Sequence, residues 1–140
     1  MSNSEFYQQG PELKNTYQSD PLLKKWMEKK FSSASLKKVQ EILNRCGEKA
    51  VTTWLENSLL AEKQEPELIN FSPWGVRKDE IILSPGWKAL EKEAAVEGIV
   101  ATAYEREYGE LSRPFQMSLL YLFHPSSAFV SCPLAMTDGA

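Results

Sequence analysis

The sequence predicts an all-α fold of about six helices. Three observations carry that expectation. Apolar residues recur at steps of three and four in successive segments, which is the spacing of one helix face. Start and stop signals bracket those segments: Ser19-Asp20-Pro21, the serines at 32, 33 and 35, and Ser84-Pro85 at the starts, with Gly47, Pro66 and Gly109 at the ends. The stretch 74–108 contains the longest such segment, and the other helices are expected to pack around it.

Residues 1–18 are polar, carry Gly10 and Pro11, and read as an extended or partly disordered arm ahead of a helical domain at 19–140. The first helix opens at Ser19-Asp20-Pro21, with a capping side chain just before a proline in the first turn. It places Leu22, Leu23, Trp26 and Met27 on one side and fails near Phe31. Leu36, Val39, Ile42, Leu43 and Cys46 form the face of a second helix, closed by Gly47. Val51, Trp54, Leu55, Ser58 and Leu59 fit the helical template of a third, which ends by about Gln64.

Pro66, Pro73 and Gly75 break the pattern, so residues 65–83 read as a short turn at Leu68 and Ile69, a polar turn at 75–80 and a strand-like piece at 80–83. Ser84 then caps a long helix over 85–106 that should be the most buried in the chain. Its stripe is Trp87, Leu90, Ala94, Gly98, Ala101 and Tyr104, widened by Ala95, Ile99 and Thr102. Gly98 and the alanines should let another helix come close. A further helix spans 112–123 with Phe115, Leu119, Leu122 and Phe123 inside. Pro125 interrupts it, residues 126–130 resume it, and Pro133 begins a last segment.

Composition narrows the function classes. At 140 residues, 42% hydrophobic and 25% charged, the chain suits one soluble domain. A net charge of −3 argues against a nucleic-acid surface, because phosphate binding needs clustered Lys and Arg. The lysines at 24, 25, 29, 30, 37 and 38 read as solvated helix faces. Cys46 and Cys132 make no metal signature and read as reduced thiols. No run approaches a membrane span, the first residues lack the apolar core of a signal peptide, and a cytoplasmic protein is expected.

Reactive chemistry is sparse. His124 is the single histidine, so any His-based catalytic or metal cluster has one member. Cys46 sits at a helix end without a basic partner and reads as buried, and Cys132 before Pro133 reads the same way. Glu91, Glu93 and Glu97 are expected to face water, and Trp26, Trp54, Trp74 and Trp87 to belong to the core. No dinucleotide fingerprint, phosphate loop or C-x-x-C occurs.

Three motifs say more: NTYQSDPLL at 15–23, GVRKDEIILSPGWKAL at 75–90 and CPLAMTDGA at 132–140. In this order and spacing they resemble the N-terminal region of the acyl-CoA dehydrogenase family, most closely its alkylation-response, AidB-like branch. The resemblance covers most of the chain and implies the N-terminal helical domain of that fold, truncated before the β-domain. It implies a longer parent with FAD held by a β-domain and a C-terminal helical domain, acting on an acyl-CoA-like substrate. This chain alone would bind no FAD and catalyse nothing. Met136-Thr137-Asp138-Gly139 echoes the family's flavin motif but lacks the following Gly-Gly-Ser-Asp, so it belongs to the preceding helix.

Carried back from Pro133, the resemblance implies an acyl-pocket wall at Tyr121, Pro125, Ala128 and Phe129, offsets that share one helix face. It also implies an exposed patch of Phe123, Phe129, Leu134 and Met136, where the β-domain docks and through which the isolated chain would self-associate. The alternatives are a stand-alone helical interaction module without catalysis and a self-contained enzyme using His124 and Cys132.

Overall fold

The computed structural model describes residues 7–140, and the part of the expected arm at residues 1–6 lies outside the described residues. Chain order is α1 (Pro21–Lys30), α2 (Ser33–Lys49), α3 (Thr53–Lys63), β1 (Glu67–Phe71), β2 (Arg77–Ile82), α4 (Pro85–Val96), α5 (Ala101–Glu105), α6 (Ser112–Phe123) and α7 (Ser131–Gly139). Short 3-10 turns lie at Gly109–Leu111 and His124–Ser126. Among the described residues α5 is a helix of 5 residues, the other six helices have 9 or more, and the only sheet is two-stranded. The all-α expectation therefore holds.

Local chemistry starts the helices where expected. Asp20 Oδ1 accepts from the Leu22 and Leu23 N–H groups at 2.9 Å each, and Ser84 Oγ accepts from Trp87 N–H at 3.1 Å. Gly47, by contrast, does not end α2, which continues to Lys49. It is a crossing point instead. A Cβ there would overlap Asn15 Oδ1 and the Tyr17 backbone nitrogen. Thr16 N–H donates to Gly47 O at 3.1 Å, Asn15 Nδ2 donates to Asn44 O at 2.9 Å, and Tyr17 is buried. Tyr17, near the end of the expected arm, thus belongs to the core, while residues 7–14 are exposed.

The long helix expected over 85–106 is two pieces. Glu97 caps α4, Gly98 turns left-handed at φ +63°, Gly98 N–H donates to Ala95 O and Ile99 N–H donates to Ala94 O, each at 3.1 Å. That is a Schellman ending, sealed by the buried pair Ala94 and Ile99. After the break Ala101 and Tyr104 face solvent. Close helix approach falls to Gly86, where a Cβ would overlap Asn57 O of α3, and not to Gly98.

The central helix is α6. Ser112, Phe115, Gln116, Ser118, Leu119, Leu122 and Phe123 are all buried, more than on any other helix. Phe123 meets Trp54 edge-to-face at 5.0 Å, and Phe115 meets Phe31 and Tyr108 in the same manner. Trp26 and Trp87 are half-buried, but Trp74 is 90% exposed and is no core residue.

Leu68 and Ile69 are not a turn: they sit in β1, opposite Ile81 and Glu80 of β2. Pro73 and Gly75 mark the hairpin turn, where Ser72 N–H donates to Val76 O at 2.8 Å and Gly75 has φ +78°. The strand-like piece expected at 80–83 falls in β2, which begins earlier, at Arg77, inside the expected polar turn, because pairing with β1 extends it.

Candidate functional site

After Phe123 the chain leaves α6 through the 3-10 turn and reverses at Ala128, whose φ of +46° is unusual for a residue with a Cβ. Residues 126–130 therefore do not resume a helix. Buried Val130 and the Ser126 hydroxyl, donating to Ala50 O at 2.7 Å, hold the reversal onto the core. The reversal turns Phe129 outward, 63% exposed, with its ring 6.0 Å from that of Trp87.

An open groove of about 630 Å³ lies between the end of α6, this reversal and the start of α7, lined by Met117, Leu120, Tyr121, Ala128, Phe129 and Ala135 with His124, Ser131 and Cys132. Among the described residues no Lys, Arg, Asp or Glu side chain lines it. His124 Nδ1 and Ser131 Oγ are hydrogen-bonded at 2.8 Å on its rim. Tyr121 OH donates to Asp20 Oδ2 at 2.9 Å, tying the groove wall to the cap of α1. The Leu23 N–H, aided by this hydroxyl, holds the Asp20 carboxyl below its ordinary value.

Tyr121, Ala128 and Phe129 thus come together around one groove, and Pro125 is not among its lining residues. They meet because the backbone reverses at Ala128, since Tyr121 lies in the last turn of α6, a helix that the other three do not continue. The expected exposed patch needs correction at Phe123, which is 0% exposed and packed on Trp54. Leu134 is half-buried against the core, while Met136 and Phe129 remain exposed.

A second constellation escaped the sequence reading. Arg45 and Lys49, one turn apart on α2, face Glu93 in the last turn of α4 and Glu97 at its C-cap. Arg45 Nη2 lies 2.6 Å from Glu97 Oε2, Lys49 Nζ lies 2.8 Å from Glu97 Oε1 and 2.6 Å from Glu93 Oε2, and Trp54 Nε1 donates to Glu93 at 3.1 Å. Burial alone would raise the Glu97 carboxyl, but hydrogen bonds from Arg45 and Lys49 outweigh it and leave it below its ordinary value. Cys46 is buried beside Glu97, and desolvation, with that negative charge, pushes its thiol up to about 12. The matching four-residue spacings of Arg45/Lys49 and Glu93/Glu97 were the available signal. These groups are satisfied by one another, so the cluster staples α2 to α4. Among the described residues no group of three or more His, Cys, Asp or Glu side chains could hold a metal ion, and no helix is long and apolar enough to cross a membrane.

Comparison with known proteins agrees with the three motifs. The profile of the adaptive response protein AidB N-terminal domain matches residues 8–140. Acyl-CoA dehydrogenase family member 11 of Caenorhabditis elegans is 34% identical over 136 residues, which is 96% of this chain and 22% of that protein. Among solved structures, the apo form of Bd2924 superimposes with a TM-score of 0.90 at 54% identity, over 96% of this chain and 27% of that one. Caenorhabditis elegans ACDH-11, solved in complex with C11-CoA, gives a TM-score of 0.89 at 32% identity, over 99% of this chain and 24% of that one. The chain spans about a quarter of the length of these relatives. With the helical architecture and the ordered motifs in agreement, the chain belongs to the adaptive response protein AidB N-terminal domain family and is similar to the N-terminal domain of acyl-CoA dehydrogenase family proteins.

Proposed function

We propose that this domain forms one wall of the acyl pocket of a longer, FAD-dependent acyl-CoA dehydrogenase-like oxidoreductase and is inactive by itself. The carrying observation is the groove at Tyr121, Ala128 and Phe129, whose apolar, uncharged lining suits a hydrocarbon chain. ACDH-11, to which 99% of this chain is similar, was solved with C11-CoA, which supports the same ligand class here.

The groove does not fit a flavin. A diphosphate needs cations or converging backbone N–H donors; among the described residues no Lys or Arg lines the groove, and the His124 ring is engaged with Ser131. FAD and the proton-abstracting base accordingly belong to the parent's β-domain and C-terminal helical domain, and no chemical step is assigned to this chain. Its part is to exclude water from the acyl chain and set the chain's direction. Exposed Phe129 and Met136, with Leu134 beneath, are where the β-domain docks. Two free thiols accord with a cytoplasmic parent.

The test is expression of the full reading frame, followed by a flavin spectrum and acyl-CoA bleaching. Flavin absorbance that bleaches with acyl-CoA is expected, and Phe129→Ala should weaken long-chain thioester binding about tenfold through lost apolar contact. A parent without flavin would favour the interaction-module alternative. A bleaching parent whose acyl affinity ignores Phe129→Ala would remove this groove from the pocket.

A further inference from the structure

We infer that the β1–β2 hairpin is a self-recognition surface, through which two copies of this chain pair about a two-fold axis centred on residues 76–81. The inference stands apart from the acyl-pocket reading. Every residue of β2 is exposed, and among the described residues the two strands of the sheet pair only with each other. Leu68, Phe71, Trp74, Val76 and Ile81 are all more than half exposed. A lone two-stranded hairpin is marginal in water, and its free apolar surface calls for a cover.

What fits that surface is written in the order of its side chains. Residues 76–81 read Val, Arg, Lys, Asp, Glu, Ile: apolar, two positive, two negative, apolar. Laid antiparallel against a second copy about a two-fold axis, Val76 meets Ile81, Arg77 meets Glu80 and Lys78 meets Asp79, and each contact occurs twice. A two-fold interface requires this kind of self-complementarity. Any register that places Asp79 on itself, or Asp79 on Glu80, opposes like charges and is disfavoured. The existing Arg77–Asp79 pair is solvent-exposed, so exchanging it for an intermolecular pair costs little.

The backbone limits how the copies meet. From Ile69 to Phe71 β1 advances two positions while β2 retreats three, from Glu80 to Arg77, so the extra residue is in β2, where Asp79 has φ +48°. Such a bulge interrupts a backbone ladder. Contact across the axis therefore runs through side chains, which favours a closed pair over a growing sheet. The other exposed apolar end, at Phe129 and Met136, offers no such code, because residues 125–137 contain no Asp, Glu, Lys or Arg.

Sedimentation velocity of the chain over a dilution series up to about 0.5 mM reads the outcome. A concentration-dependent dimer is expected, weakened about tenfold or more by Arg77→Glu or by Glu80→Arg, each of which opposes like charges twice. Mixed in equal amounts, the two variants should recover the dimer, since every reversed side chain then meets its opposite. Recovery also shows that both variants are folded. The inference is overturned if the chain stays monomeric, if neither reversal matters, if the mixture fails to recover, or if Met136→Glu alone abolishes the dimer.

Discussion

Lys49 Nζ stands 2.6 Å from Glu93 Oε2 and 2.8 Å from Glu97 Oε1, so one ammonium on α2 holds both the carboxylate in the last turn of α4 and the one at its C-cap. The Glu97 side chain is only 2% exposed, while Arg45 on its other side is half exposed. The bridge therefore differs from a surface ion pair, which contributes little.

Glu97→Gln should destabilise the chain by about 2–4 kcal/mol, somewhat under a fully enclosed pair because water still reaches Arg45. Glu93 and Glu97 both titrate below the ordinary 4.5 in the folded state, so the unfolded chain binds more protons as pH falls. Their stabilisation is present above about pH 4.5 and is lost as pH falls through the lowered values. Urea unfolding of both proteins across pH should show their difference shrinking in acid. A difference below about 0.5 kcal/mol at neutral pH, or one indifferent to pH, would contradict the assignment.

Leu90→Ala should cost ~2–5 kcal/mol, the range for truncating a large core side chain. Leu90 is 0% exposed at the middle of α4, with Ala94 one turn on. Chemical denaturation reads the change directly, and a loss near zero would mean that α4 can leave the core freely.

Gly47→Ala should destabilise by about 1–3 kcal/mol, because its Cβ would displace the Asn15–Tyr17 crossing. Amide exchange should then rise at Thr16, whose N–H donates to Gly47 O. Protection at Thr16 equal to that of the unsubstituted chain would show that the crossing does not need glycine.

The two thiols should separate cleanly. Cys132 is exposed and Cys46 is buried with its thiol pushed up to about 12. Brief iodoacetamide treatment at about pH 8 should label Cys132 alone, with Cys46 reacting only in denaturant. Mass spectrometry showing equal native labelling of both would refute the burial of Cys46.

The family was legible in the sequence, because its three motifs are linear and ordered. So were the helix starts at Asp20 and Ser84 and the buried faces Val39/Leu43/Cys46 and Phe115/Leu119/Leu122/Phe123. Each depends on residues within a turn or two of one another, and capping and periodicity act at that range. The break at Gly98 was also local, but the alanines around it masked a glycine ending as a continuing stripe. Other features depend on partners far along the chain. Glu97 reads as a water-facing carboxylate until Arg45 and Lys49 arrive from α2, and Gly47 reads as a stop until Asn15 crosses it. Leu68 reads as a turn until Ile81 pairs with it. Tyr121 and Phe129 share a groove only because the backbone reverses at Ala128. Local preferences are worth a fraction of a kcal/mol per residue, whereas leaving a buried charge without its partner or emptying a core position costs several, so the distant contacts decided those positions.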